Sequence, residues 1–306
     1  KFGEAKVSYY EEILNENNVH EVADVDALCV FVSSPVDKKM IEAMPNLKFI
    51  ATRSTGFDTI DCEYAKTKGI QVSNVPAYGS HTVAEFTFAL ILNLSRKIIV
   101  ANDYIKTSAD FNYNSRMQGF DLTGKTIGVI GTGKIGKNVI KIAKGFGMNV
   151  IGYDLYPDPV FATETGFLYK SFEEVISNSN IISLHAPYTK ENHHLINQES
   201  ISKMKKGTYL INTARGELVD TEALILGLKS GIIAGAGLDV LEGESDLKKK
   251  NNSHITLLNM ELMQTPNVII TPHIAFNTSE AVAEILRITI LNIQGFISNN
   301  PINIVN

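Results

Sequence analysis

Three side chains that could do chemistry together each follow an apolar, β-rich run in the second half of the chain. Arg215 comes after "TYLINTA", Glu244 after "GLDVLEG" and His273 after "NVIIT". Ligands of parallel sheets bind at the carboxyl ends of the strands, so all three residues stand where a reaction could occur. Arginine suits a carboxylate because its planar fork donates two parallel hydrogen bonds. Histidine suits proton exchange because its ordinary pKa is roughly 6.5, and an adjacent glutamate would favour the charged ring and fix its orientation. Taken singly, each keeps another reading: Arg215 as a helix cap or surface cation, Glu244 as a loop carboxylate, His273 as a metal ligand or a core histidine after Pro272. Their joint placement favours the chemical reading.

The stretch "KTIGVIGTGKIGKNVIKIAKGFGMNVIGYD" is the most specific in the chain. Gly131, Gly133 and Gly136 form G-x-G-x-x-G directly after a strand pattern and at the start of a helix pattern. Such glycines let the backbone turn tightly, admit a pyrophosphate against the main chain and allow close helix-strand packing, while the helix N-terminus attracts negative charge. Asp154 ends the following strand, where a carboxylate accepts hydrogen bonds from both hydroxyls of an adenosine ribose. It would repel a 2′-phosphate, and "DLYPDPVF" offers no Arg or Lys to accommodate one. NAD is therefore the expected cofactor.

The elements that must position these groups are legible in the hydropathy pattern. "ALCVFVS", "LKFIATRS" and "IQVSNV" alternate with helical segments, and the pattern restarts with "KTIGVIG", "NVIGYD", "NIISLHAP", "TYLINTA", "GAGLDV" and "NVIITPH". Near-continuous apolar strands separated by helices mark parallel sheets covered on both faces, so two α/β units are expected. Ser171 with Glu174 reads as a capping box, and Asp220 as the N-cap of a helix that Gly231 stops. The segment 242–265 reads as a polar, irregular excursion, and the lysine run 248–250 as a solvated loop. One long helix, about His81 to Lys106, is expected at the junction. Its apolar core, Phe86 to Leu92, is far shorter than the roughly 20 residues of a membrane span. A helix apolar on most sides must be covered from several directions, by another domain or another subunit, so a homodimer is expected.

Composition excludes several classes. The 306 residues are 44% hydrophobic, enough for a large core, and 28 basic against 33 acidic residues leave a net charge of -5. No basic field is available to hold nucleic acid or an anionic membrane. Two cysteines, Cys29 and Cys62, fall in segments that read as buried, too few for a disulfide framework, which favours a reducing, cytoplasmic setting. No signal peptide is visible, and the chain opens with Lys1 rather than Met. His185, His193 and His194 have no carboxylate or thiol cluster in their neighbourhood of the sequence, so no metal is expected.

The motifs "GTGKIG", "SLHAPYTKENHHLIN", "LINTARGELVDTEAL", "GLDVLEGE" and "ITPHIAFNT" resemble those of the D-isomer-specific 2-hydroxyacid dehydrogenases, and among them most those of the D-lactate dehydrogenases, over nearly the whole length from Ala27 to Asn306. The resemblance implies a Rossmann NAD-binding domain, residues 78–273, inserted in a flavodoxin-like substrate domain, residues 1–77 plus 274–306. It implies that Arg215 binds the substrate carboxylate, that His273 is the acid/base and that Glu244 is its partner. It further implies that Lys134, Ile135, Asp154, Ala186, Pro187, Asn192, Thr213, Ala214 and Asp239 line the NAD site, Asp239 facing the nicotinamide amide. In the first domain the backbone N–H groups of Thr55 and Gly56 would face the substrate carboxylate, with Tyr78 and Phe276 as aromatic neighbours of the substrate. The implied reaction interconverts a 2-keto acid such as pyruvate and a D-2-hydroxy acid such as D-lactate. "VFVSSPVD" lacks a tyrosine that lactate-type members often carry after this strand, which bears on the substrate and not on the reaction class. The alternative from another class is a non-enzymatic, NAD-sensing regulator similar to the C-terminal-binding corepressors.

Overall fold

The alternating apolar runs become two parallel sheets in the computed structural model, which describes residues 5–31, 33–249 and 251–306. Contacts divide the chain into two units, Lys1–Gly79 with Asn277–Asn306, and Ser80–Phe276, so that the second is inserted in the first. The architecture is α/β throughout. The limits differ by two or three residues from those the resemblance implies, because the turn that carries His273 is tied to the second unit: the His273 amide donates to the Asp239 carbonyl at 2.8 Å.

In the first unit, β1 (Ala27–Val30), β2 (Phe49–Thr52) and β3 (Gln71–Ser73) form a parallel sheet in that order. The expected first strand ran on across Val32, which lies outside the described residues. β2 is buried along its whole length, and Phe49 stacks on Phe296 of the helix Ser279–Ile297 with ring centroids 4.6 Å apart. Asn292, fully buried, donates to the Asn74 carbonyl at 2.8 Å and ties that helix to the end of β3. This is how the last residues of the chain complete a sheet begun by the first.

The second unit holds β4 (Thr126–Ile130), β5 (Asn149–Tyr153), β6 (Leu168–Tyr169), β7 (Ile181–Leu184), β8 (Thr208–Asn212), β9 (Ile233–Leu238) and β10 (Val268–Ile270) in the order β10-β9-β8-β7-β4-β5-β6, with every named pairing parallel. The order reverses at β4, which has β5 on one side and β7 on the other, and a crevice at such a switch point is where doubly wound sheets bind ligands. β4 and β7 are almost entirely apolar and buried, as strands covered on both faces must be.

The expected long helix is two helices, Ser80–Arg96 and Ile98–Ser108, broken at Lys97, whose backbone is left-handed at φ 56°. The first finds its cover inside its own unit: Leu90 and Leu94 approach so closely that a Cβ on Gly237 of β9 would stand 3.0 and 3.4 Å from them. The second buries none of its residues and exposes Ile98, Ile99, Val100 and Ile105. The excursion 242–265 also differs from expectation, because it holds two helices, Glu244–Lys249 and His254–Gln264. Lys248 and Lys249 therefore belong to a helix rather than a loop, and Lys250 lies outside the described residues. Cys29 is exposed rather than buried, on the outward-facing side of β1. Among the described residues no helix is long and apolar enough to cross a membrane.

Both predicted caps are present. Ser171 and Glu174 form the reciprocal capping box, and the Asp220 carboxylate accepts from the Ala223 amide at 3.0 Å while Gly231 closes the helix Thr221–Ser230 at φ 72°. Replacing Asp220 with Ala removes that acceptor and is expected to cost about 1 kcal/mol. Asp220→Asn should recover most of it. A urea midpoint of Asp220→Ala equal to that of the unchanged protein, at equal slope, would show the cap to be idle.

Candidate active site

The glycine-rich loop follows β4, at the point where the strand order reverses. Gly131 has φ 90°, and a Cβ there would fall 2.4 Å from the Ala186 amide nitrogen. Only glycine lets the loop lie against the chain leaving β7. A Cβ on Gly136 would meet the Gly131 carbonyl at 2.0 Å, whereas one on Gly133 would meet nothing within 4 Å. Two of the three glycines are thus demanded by the protein's own packing, and the middle one leaves open space. Gly133 is also the N-cap of the helix Lys134–Gly145 and supplies no side-chain acceptor to its first amides. That open, uncapped helix N-terminus fits a pyrophosphate. Lys134 is exposed and Ile135 half-buried at its mouth.

Asp154 follows β5 directly and is held to this loop. Its Oδ2 accepts from the Thr132 amide at 2.6 Å and hydroxyl at 3.0 Å, and its Oδ1 from the Tyr156 amide at 2.9 Å. On the other side of β4, Ala186, Pro187 and Asn192 belong to the segment leaving β7. Asn192 shapes that segment by donating to the Pro187 carbonyl and accepting from the Thr189 amide, both at 2.8 Å. One strand further, Thr213 is buried with its hydroxyl 3.1 Å from that of Thr87. Asn212 builds the next turn with both ends of its amide, accepting from the Ala214 amide at 3.0 Å and donating to the Arg215 carbonyl at 2.8 Å. With Asp239 after β9, the predicted cofactor residues therefore occupy the ends of five adjacent strands.

The pairing register brings the ends of the strands that precede the reactive residues to one level. Asn212 pairs with Leu238, and Leu238 with Ile270, so β8, β9 and β10 end at one level. Arg215, Glu244 and His273 follow these ends. The Arg215 turn is packed hard against the Glu244 turn, since a Cβ on Gly216 would stand 2.0 Å from the Leu241 carbonyl carbon. His273 Nδ1 lies 3.1 Å from Glu244 Oε2, and both side chains are about three-quarters buried, with 22% and 25% exposure. Burial pushes the Glu244 carboxyl up, but the hydrogen bond and charge of His273, with Lys248 at 3.3 Å, outweigh it and hold the group below its ordinary value. The carboxylate is thus ionised at neutral pH. The stability it lends is present above the ordinary glutamate pKa of roughly 4.3 and is lost as pH falls through the lower folded value.

Asp239 does more than the sequence suggested. It is 1% exposed, and its carboxylate accepts from the Thr271 hydroxyl at 2.5 Å, the Ile274 amide at 2.9 Å and the Ala275 amide at 2.8 Å. These bonds hold His273 at φ 56°, a left-handed conformation that a side-chain-bearing residue adopts only under constraint. Thr271 and Asn212 are positioning residues that the sequence reading passed over, because a threonine or asparagine at a strand end carries no signal of its own.

The histidines are less isolated than their neighbourhood of the sequence implies. The sequence showed no carboxylate near His193 and His194, but the fold brings Glu242, and these three offer ligand atoms within 4.8 Å of one another. His194 Nε2 lies 2.7 Å from Glu242 and its Nδ1 3.9 Å from Asp220, so its ring bridges the segment leaving β7 to the Glu244 turn. His185 Nδ1 is enclosed without a partner among the described residues, and burial takes its pKa down to about 3, leaving a neutral ring beside the glycine loop. Thr55, Gly56 and Tyr78 belong to the first unit. There the Thr55 turn is built by Asn74, which donates to the Thr55 carbonyl at 2.7 Å, and by the Thr55 hydroxyl, which donates to the Val75 carbonyl at 2.8 Å. Phe276 is the last residue of the second unit.

A doubly wound sheet, an open glycine cradle at its switch point and a carboxylate-histidine pair at neighbouring strand ends define a dinucleotide-dependent oxidoreductase. The family model for the NAD binding domain of D-isomer specific 2-hydroxyacid dehydrogenases matches residues 88–275. A D-lactate dehydrogenase of Escherichia coli is 37% identical over 295 residues, 94% of this chain and 88% of that protein. An aromatic 2-oxoacid reductase of Clostridium sporogenes is 42% identical over 283 residues, 90% of this chain and 84% of that protein. The crystal structure of D-lactate dehydrogenase from Aquifex aeolicus, complexed with NAD and lactic acid, superposes with a TM-score of 0.87 at 42% identity, covering 92% of this chain and 86% of that one. The chain belongs to the D-isomer-specific 2-hydroxyacid dehydrogenase family and is an NAD-dependent enzyme of that class.

The glycine geometry yields a test. Gly133→Ala enters open space and should leave unfolding free energy within about 0.5 kcal/mol while weakening NADH binding at least about tenfold. Gly136→Ala collides with the Gly131 carbonyl and should cost about 1–3 kcal/mol of stability. Equal effects of the two on unfolding would contradict the cradle.

Proposed function

We propose that, within this class, the chain interconverts a short 2-keto acid such as pyruvate and the corresponding D-2-hydroxy acid, with His273 as acid and base. The observation that carries the reading is the Glu244–His273 pair at 3.1 Å, set at strand ends level with the one that precedes Arg215. In the charged ring Nδ1–H faces the carboxylate and Nε2 carries the second proton, the one available for transfer. Bound NADH supplies the hydride. In the reductive direction His273 Nε2 gives a proton to the carbonyl oxygen of the keto acid, and Glu244 holds the ring and steadies its positive charge beforehand. Arg215 binds the substrate carboxylate with its fork, and Phe276 flanks the substrate. Asp154 accepts from the ribose hydroxyls. Asp239 Oδ2, which accepts one of the protein hydrogen bonds, retains a lone pair for the nicotinamide amide. The names of the Escherichia coli and Aquifex aeolicus relatives support a lactate-type substrate. The Clostridium sporogenes relative and the missing tyrosine in "VFVSSPVD" support a bulkier, aromatic 2-keto acid as the second reading. Relatives named as reductases and dehydrogenases give no support to a non-enzymatic regulator.

The reading extends to assembly and setting. We propose a homodimer whose interface includes the helix Ile98–Ser108, because that helix leaves Ile98, Ile99 and Ile105 exposed. The two cysteines are unpaired, which supports a reducing compartment.

A panel of 2-keto acids followed by NADH absorbance assigns the substrate. His273→Ala should lower the reduction rate by about two to four orders of magnitude in stopped flow while NADH affinity changes little. Glu244→Gln keeps a hydrogen bond but removes the charge that steadies the imidazolium, so the reduction rate should fall while NADH affinity changes little. Near-native rates in His273→Ala would remove it from the chemistry. Light scattering at micromolar concentration should give twice the chain mass, 67.2 kDa against 33.6 kDa, and a monomer would contradict the interface.

A further inference from the structure

The segment after Asp154 contains no basic residue, but the fold brings one to it. Lys137 stands one turn into the helix Lys134–Gly145, and its ammonium lies 2.5 Å from Asp158 Oδ2. Both side chains keep about a third of their exposure, 35% and 38%, so the pair faces solvent at the rim of the cradle. We propose that Asp158 is a second determinant of cofactor choice: it holds the Lys137 ammonium, which would otherwise serve as counter-ion to the 2′-phosphate of NADP. The proposal rests on the reading that Asp154 meets the adenosine ribose.

Three observations carry it. First, Asp154 and Asp158 are joined through a chain of hydrogen bonds: the Thr132 hydroxyl is 3.0 Å from Asp154 and 2.8 Å from the Tyr169 hydroxyl, to which the Asp158 amide donates at 3.0 Å. The two carboxylates are therefore fixed relative to one another, and Lys137 feels both. Its ammonium is held above its ordinary pKa first by the Asp158 hydrogen bond, against burial, with the charges of Asp158, Tyr169 and Asp154 adding to it. Second, Lys137 is pinned on its other side by the Phe161 ring, whose centroid is 5.1 Å away. Third, Asp158 is itself immobile, because its Oδ1 caps the helix Pro159–Thr165 by accepting from the Phe161 amide at 3.0 Å. Around one ammonium stand two carboxylates, so an incoming 2′-phosphate meets net negative charge and finds the cation already paired. A ribose with free hydroxyls has no such penalty.

Asp158→Asn separates this role from a structural one, since asparagine is as good an N-cap as aspartate but carries no charge. Dissociation constants for NADPH and NADH are read from the nucleotide's own fluorescence, alongside kcat/KM for each. NADPH binding should tighten about tenfold, the worth of a freed charge-assisted hydrogen bond, with NADH within about twofold, and the gain should shrink as salt rises. The double variant Lys137→Gln/Asp158→Asn should lose the gain. An Asp158→Asn protein that folds normally but binds NADPH no better, while Asp154→Ala does relax the preference, overturns the role of Asp158 and leaves the ribose reading intact. A gain that survives in the double variant overturns the role of Lys137. Should Asp154→Ala keep the full preference for NADH, the ribose reading fails and the proposal with it.

Discussion

Three adjacent parallel strands that end at the same level are the constraint on which the site depends. Because Asn212, Leu238 and Ile270 lie in one row across β8, β9 and β10, the residues just beyond them leave the sheet at one level. Short turns then bring the Glu244 carboxylate to the His273 imidazole, while the Arg215 guanidinium donates to the Ala214 carbonyl at 2.8 Å. The turns are not left to chance. A buried Asp239 gathers the Thr271 hydroxyl and two amides and so bends the chain at His273. Asn212 does the same for the Arg215 turn, and the missing side chain of Gly216 lets that turn touch the one before Glu244. Rigidity around the pair is what gives a weak contact between a histidine and a glutamate its directional effect.

The same sheet builds the cofactor side from its switch point. β4 sends its glycine loop over the segment leaving β7, and β5 returns Asp154 to that loop through Thr132. Strand ends from β5 to β10 thus line up in spatial order, Asp154 at one end and His273 at the other. The order in space follows from the order of strands, not from the order of motifs in the chain.

Much of this was legible in the sequence because it is local. The glycine spacing, the capping box at Ser171 and the β-rich runs before Arg215, Glu244 and His273 each lie within a dozen residues and carry their own physics. What was not legible has a physical reason in each case. The helix His254–Gln264 buries Thr256, Asn259 and Leu262 and exposes Leu257, Met260 and Met263, so its hydropathy pattern points the wrong way; Asn259 is inside because it donates to the Glu242 carbonyl at 2.8 Å. The break at Lys97 has neither glycine nor proline to announce it. β6 is two residues long, too short for any period to register. Glu242 beside His194 and Lys137 beside Asp158 are tertiary meetings, and composition around each partner gives no hint of the other.

In the proposed reaction His273, oriented by Glu244, faces the keto oxygen while Arg215 holds the carboxylate. A crystal structure of the protein with NADH and oxamate, an unreactive keto-acid mimic, tests it most directly. The account predicts the oxamate carbonyl oxygen about 2.6–3.2 Å from His273 Nε2, with Nδ1 still on Glu244 and the carboxylate in the Arg215 fork. Oxamate bound with its carbonyl turned from His273, or its carboxylate on a cation other than Arg215, would contradict it.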